Sequence, residues 1–151
     1  MSARGPREIV YEWRGSFDNA ELNALHADAF GHAVLDDDWN GQVHGHSLGW
    51  VSARKGGEVV GFVNVAWDGG VHAFILDTLV SASARRHGIG TQLVALATEQ
   101  ARAAGCEWLS QPRVEATRTR AWHVTQPRGH GRPPTHQGVQ VGWIRALGTS
   151  R

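Results

Sequence analysis

Six consecutive residues carry the densest chemistry in the chain: Arg85-Arg86-His87-Gly88-Ile89-Gly90, followed at once by an apolar-periodic run. A helix that starts here leaves its first backbone N–H groups without intrahelical acceptors. Its dipole adds partial positive charge at the same place, so the position favours anions. Glycines at 88 and 90 allow positive φ and the close approach of a ligand. Arg85 and Arg86 supply charge that suits a diphosphate. The stretch can therefore cradle a pyrophosphate. The sequence contains neither GxxxxGK[ST] nor GxGxxG, which argues against a P-loop and a dinucleotide-binding fingerprint.

The elements that must position this stretch are legible on both sides of it. Ile89, Leu93, Leu96, Ala97 and Ala101 recur at three- and four-residue steps, predicting an amphipathic helix that ends near Gly105. Upstream, Gly56-Gly57 and Gly69-Gly70 separate strand-like runs at about 48–55, 58–67 and 71–80, the pattern of antiparallel hairpins. The last run is almost continuously apolar, and burial on both faces is expected for it. Residues 7–15 read as a first strand. Leu22, Leu25, Ala29 and Phe30 fall at helical spacing behind an N-cap at Ser16 or Asp18, with Glu21 placed for a capping box. "LDDDWNGQVHGHS" reads as a polar connection, and "CEWLS" as a further strand. The order strand–helix–three strands–helix–strand is a mixed α+β arrangement in one domain spanning 1–151.

The pattern [R/Q]-x-x-G-x-G, placed after a buried strand and opening a helix, resembles the acyl-CoA-binding motif of the GNAT superfamily of N-acyltransferases. The resemblance covers roughly residues 7–109. It implies a three-layer fold with a central, mostly antiparallel sheet flanked by helices and splayed at the strand before the motif. It implies that the pyrophosphate of acetyl-CoA lies on the backbone amides of about His87, Gly88, Ile89, Gly90 and Thr91. It also implies that the pantetheine arm pairs with the backbone at Leu79 and Val80. The activity implied is transfer of the acetyl group of acetyl-CoA to a primary amine of a small molecule or peptide.

Such a transfer needs a deprotonated amine, a polarised thioester carbonyl and a stabilised leaving thiolate. No covalent intermediate is required when both substrates are held together. Consistently, Cys106 sits in an apolar stretch, away from a basic partner in the sequence. Candidates for the base are Asp77 and His72, whose odd separation points them to opposite faces of a regular strand. Asp77 is an acid in an apolar run, where burial raises a carboxyl pKa; His72 reads as a rim residue. Asp36-Asp37-Asp38 lies where relatives build the acceptor side, and an acidic loop attracts a cationic amine. His44 and His46 are two ligands without a third, so no metal is expected. Trp13, Trp39, Trp50 and Trp67 read as core or cleft walls.

The bulk properties agree with a cytoplasmic protein. One cysteine rules out an internal disulfide, no apolar h-region opens the chain, and no run approaches the ~20 apolar residues of a membrane span. The net charge of +1 hides an asymmetry: residues 110–151 hold 7 of the 15 Lys/Arg, 1 of the 14 Asp/Glu and 4 of the 5 prolines. The family normally continues here with a helix that offers a tyrosine to the leaving thiolate, and then two strands. This chain has one tyrosine, Tyr11, and only Gly138–Leu147 looks able to form a strand. Three readings are open for the segment: a divergent closure of the sheet, a basic arm for nucleic acid or another polyanion, or the product of a shifted reading frame. Two further classes stand beside the enzyme: a non-catalytic acyl-CoA-binding relative, and a polyanion binder acting through the tail. Nucleic acid is not the expected partner, and a homodimer is compatible with the family.

Overall fold

The structure, a computed structural model, describes residues 8–110 and the backbone of 143–145. Six strands form one sheet in sequence order: β1 Ile9–Trp13, β2 Ser47–Lys55, β3 Glu58–Trp67, β4 His72–Val80, β5 Trp108–Ser110 and β6 Trp143–Arg145. All neighbours pair antiparallel except β4 and β5, which are parallel. Helix α1, Asn19–Phe30, and helix α2, Trp39–His46, cover one face, and α3, Ile89–Ala103, covers the other. This is the mixed three-layer arrangement the sequence predicts.

The two helical layers bury different sets of side chains. Beneath α3, Ile89, Leu93, Ala97 and Ala101 pack on Val51, Ala53, Val63, Val65, Ala73 and Ile75. Beneath α1 and α2, Leu22, Leu25, Trp39 and Val43 pack with Phe17, Trp50, Phe62 and Leu79. The period-2 alternation of β3 divides Phe62 from Val63 and so serves both layers at once. α1 starts as predicted, with the Asp18 N–H donating to Glu21 Oε2 at 3.0 Å. α3 ends in Gly105 at φ 88°, where the Gly105 and Cys106 amides close back on Arg102 and Ala101.

Three expectations are corrected. The segment read as a polar connection contains α2. Its two glycines and low apolar content hide it, yet Asp38 caps Gly41 N–H at 3.0 Å, and Trp39 and Val43 fall one turn apart on the buried side. β4 is not buried on both faces: Ala73, Ile75 and Leu79 are buried, and the residues between them are half-buried. Phe30, whose helical spacing groups it with Leu22 and Leu25, does not share their burial: it is 49% exposed, its ring edge against His26 at 4.8 Å. The expected strand within Gly138–Leu147 is present as β6, paired with β5. The readings of the remainder of 110–151, namely irregular segment, basic arm and shifted frame, lie outside the described residues beyond Ser110.

Candidate active site

The pyrophosphate-type stretch lies between β4 and α3. β4 ends at Val80, a short turn of 3-10 helix covers Ala82–Ala84, and α3 begins at Ile89. Gly88 caps the helix at φ 73° without a side chain, and Arg86 before it also adopts positive φ, 67°. The first intrahelical bond is Gln92 N–H to Gly88 C=O at 3.0 Å. The amides of Ile89, Gly90 and Thr91 therefore have no protein acceptor among the described residues. Residues 85–88 are exposed, while Ile89 and Leu93 beneath them are fully buried and fix the helix start to the sheet. A Cβ on Gly90 would meet only Val80 Cγ2, at 3.6 Å, so the opening is not blocked by neighbouring atoms.

The two arginines are used differently. Arg85 Nη2 donates to the Ala29 carbonyl at 2.6 Å, and Ala82 N–H donates to Asp28 Oδ2 at 2.8 Å. Both bonds tie the loop to the C-terminal end of α1, so Arg85 holds the loop in place. Arg86 and His87 remain exposed beside the open amides.

The strand edge next to the loop is equally specific. Ser81 N–H bonds Val60 C=O at 2.9 Å, Val80 opposes Gly61, and Leu79 opposes Phe62. In an antiparallel ladder, bonded and non-bonded pairs alternate. Leu79 thus turns its backbone to β3 and its side chain into the core, whereas Val80 turns its N–H and C=O outward. On that outer side β5 pairs only with His72–Phe74, so the upper half of β4 has no strand beside it among the described residues.

Asp77 sits at a bulge. Phe62 pairs with Leu79 and Asn64 with Leu76, so Asp77 and Thr78 together oppose Val63, and Asp77 has φ 50°. The break removes the regular alternation on which opposite faces for His72 and Asp77 rested. The Asp77 carboxyl is hydrogen-bonded by Asn64 and feels the charge of His26 on α1. Asn64 accepts the Ser47 hydroxyl at 2.5 Å through Oδ1, which leaves its amide NH2 for Asp77. Burial pushes the Asp77 carboxyl above the usual range, with His26 and Asn64 opposing the shift. His72 lies at the start of β4, its Nδ1 bonded to Asp68 Oδ2 at 2.7 Å.

The acidic loop is fastened by a residue the sequence did not mark. Asn23, 3% exposed on α1, donates to Asn19 C=O and Asp37 C=O, and accepts from Asp37 N–H and the Trp39 indole N–H. Asp38 is consumed as the α2 cap and as acceptor for Asn19 Nδ2. His26, also unmarked, contacts the rings of Phe30, His32 and Trp39. A histidine one place after the buried Leu25, with a second six residues on, was the available signal.

The remaining candidates fall away from this centre. Tyr11 lies on β1, three strands from β4 in the sheet, and burial raises its pKa. Cys106 is buried, and burial raises its thiol pKa, which keeps it from acting as a ready thiolate. His44 on α2 donates Nδ1–H to Asn40 C=O at 2.7 Å. Among the described residues no helix is long and apolar enough to cross a membrane.

Solved structures of known proteins share this fold. An acetyltransferase of the GNAT family from Streptococcus pneumoniae TIGR4 is 25% identical, with a TM-score of 0.57 over 73% of this chain and 78% of that one. A GNAT family N-acetyltransferase from Escherichia coli, solved in complex with CoA, superposes at TM-score 0.59 over 74% of this chain and 66% of its own, at 16% identity. A GNAT family acetyltransferase from Brucella melitensis, solved in complex with acetyl-CoA, superposes at 0.58 over 73% and 79%, also at 16% identity. No curated protein matches the chain. Residues 8–130 match the family model described as Acetyltransferase (GNAT) family. With that match across most of its length, and with an open helix start behind a bulged strand, the chain belongs to the GNAT acetyltransferase family.

Proposed function

We propose that the protein is an N-acetyltransferase that moves the acetyl group of acetyl-CoA directly to a primary amine of a small molecule or peptide. The observation that carries this reading is the start of α3, where three amides without protein acceptors among the described residues follow a left-handed Gly88. Acetyl-CoA supplies the acyl group in activated form, as a thioester. The amides of Ile89, Gly90 and Thr91 would hold its diphosphate, joined by those of His87 and Gly88, with Arg86 adding charge from the rim. Arg85 keeps the loop on α1 rather than reaching the ligand. Val80 offers an outward N–H and C=O to a strand-like pantetheine arm, and Leu79 backs it from the core.

Asp77 is the base this reading favours. Its raised pKa brings it nearer to the operating range of a proton acceptor than an exposed carboxylate. His72, tied to Asp68 at the far end of β4, serves the rim. The buried Cys106 thiol supports direct transfer without an acyl-enzyme. The acceptor is proposed to be cationic before it is deprotonated, because Asp36 and Asp37 stand exposed on the loop beside α1.

Calorimetric titration with acetyl-CoA, followed by thiol release with aliphatic, aromatic and peptide N-terminal amines, tests the proposal. Saturable binding and amine-dependent thiol release are expected. Binding without release for any amine would identify a non-catalytic acyl-CoA-binding relative, and absence of binding would overturn both.

A further inference from the structure

The helices on the α1 side of the sheet leave β1 open. Ile9, Tyr11 and Trp13 pack toward α3, so strand alternation turns Val10 and Glu12 to the opposite face. The cluster beneath α1 and α2 draws on β2, β3 and β4 and includes no β1 residue among those described. A groove of about 530 Å³ lies there, lined by Glu8, Val10, Glu12, Ser52, Arg54 and the Gly56-Gly57 turn. Val10 is 61% exposed within it. Arg54 is spent as a wall. Its Nη1 donates to Glu21 Oε1 and the Gly57 carbonyl, and its Nη2 donates to Glu21 Oε2 and the Ser16 carbonyl. Glu21 neutralises that guanidinium, so Glu8 and Glu12 leave the lining with an excess of negative charge.

Two observations mark the Glu12 end of the groove as a place for a hydrogen-bond donor. Ser52 is 1% exposed, and its hydroxyl has no partner among the described residues, a buried polar group that folding leaves unsatisfied. Gly15 stands beside it: a Cβ there would run into Ser52 Oγ and lie 3.2 Å from Glu12 Oε2, so both oxygens crowd the position a side chain would take. The Trp50 indole N–H, bonded to the Gly15 carbonyl at 2.8 Å, holds that backbone in place. An ammonium has three N–H donors and no acceptor, so one N–H serves Glu12 and a second serves Ser52 Oγ. Glu8 is four residues of extended chain away, up to about 13 Å, with Val10 between the two carboxylates. We propose that this groove is a second ligand site, which binds a linear aliphatic diamine. One ammonium sits between Glu12 and Ser52, the other at Glu8, and the methylene stem lies on Val10. The site is separate from the start of α3, because β1 is three strands from β4 in the sheet. It stands independently of the acetyl-transfer reading.

The test is a titration of the full chain, without acetyl-CoA and at low ionic strength, with 1,8-diaminooctane and with n-octylamine. The diamine is expected to saturate one site about threefold more tightly than n-octylamine, which has the same stem and a single charge. Added salt should weaken the diamine more than the monoamine. Glu12→Gln and Ser52→Ala should each weaken the diamine about tenfold. Ser52→Ala should melt no lower than the wild type, because the hydroxyl it removes has no partner. Weaker binding at undiminished stability separates a ligand contact from a structural one. Glu8→Gln, at an exposed position, should bring the diamine down to the affinity of n-octylamine, and it keeps the test decisive where a Ser52 variant folds poorly. The double variant Asp36→Asn, Asp37→Asn should bind the diamine as the wild type does. Absence of saturable binding, equal wild-type affinity for the two amines, or unchanged affinity in both Glu12→Gln and Ser52→Ala overturns the site. Binding lost only in the Asp36 and Asp37 double variant overturns it too, by placing the diamine on the acidic loop.

Discussion

Gly61 on β3 and Ile89 at the first turn of α3 are in contact through the absence of a side chain: a Cβ on Gly61 would come within 2.9 Å of Ile89 Cγ2 and 3.1 Å of Leu93 Cδ1. The helix start that presents the open amides is seated in that notch. Gly61→Val should therefore lift α3 from the sheet, costing about 1–3 kcal/mol by overpacking. Thermal unfolding would show the loss, and acetyl-CoA titration should show weaker binding in the fraction that stays folded. A variant of wild-type stability and affinity would mean that the notch does not set the helix position.

Asn23 joins α1, the acidic loop and α2 through four hydrogen bonds made by one buried amide. Asn23→Ala leaves the Trp39 indole N–H and the Asp37 backbone without their partners. A loss of about 1–3 kcal/mol is expected for each group left unsatisfied. Denaturant unfolding measures it. The midpoint should fall, and hydrogen exchange should accelerate across 31–38 and α2 more than across α3.

Arg85 and Arg86 are neighbours in sequence with different tasks, and salt separates them. Arg86→Ala should weaken acetyl-CoA binding about fivefold at low ionic strength, on the order of 1 kcal/mol, and much less at high salt. Arg85→Ala removes the bond to Ala29 and should loosen residues 81–88 at every salt concentration. Titrations at two ionic strengths distinguish a screened surface charge from a lost strut.

Asp77 gives stability a definite pH dependence. Its folded pKa is raised by burial. Its contribution is fully present below the ordinary carboxylate pKa and is lost as pH rises through the raised value. Asp77→Asn removes that loss. The variant should melt above the wild type at neutral pH, and the two should converge in acid. The acetyl-transfer rate should move the opposite way, falling in Asp77→Asn across the whole range. A variant less stable than the wild type at neutral pH would show that the carboxylate is held by partners strong enough to outweigh its desolvation.

Much of this architecture could be read from local chemistry. The Gly-Gly pairs at 56–57 and 69–70 punctuate β2, β3 and β4, and the three- and four-residue spacing of Ile89, Leu93, Ala97 and Ala101 marks the face of α3. These signals depend on a few neighbouring residues and survive without tertiary context. α2 was hidden because its helix depends on the Asp38 cap and on Trp39 reaching Asn23, a partner 16 residues away. The bulge at Asp77 was hidden for a similar reason: an extra residue in a strand has no composition of its own and exists only relative to Val63 across the ladder. Arg85 looked like a ligand for anions by type. Its role as a strut depends on the end of α1 lying 56 residues away in sequence and adjacent in space. His26 and His32 became connected only when the chain turned at Gly31, whose φ of 70° ends α1 and folds the loop back.

The open helix start is tested most directly at Gly90, where the nearest atom to an added Cβ is Val80 Cγ2 at 3.6 Å. Space there accommodates alanine, while an indole would lie across the amides of the first turn. Acetyl-CoA should bind the wild type saturably in isothermal titration, bind Gly90→Ala nearly as well, and give no binding heat with Gly90→Trp, all three having the same far-UV circular dichroism. Wild-type affinity in a folded Gly90→Trp protein would contradict the account, because the diphosphate would then be held somewhere other than the start of α3.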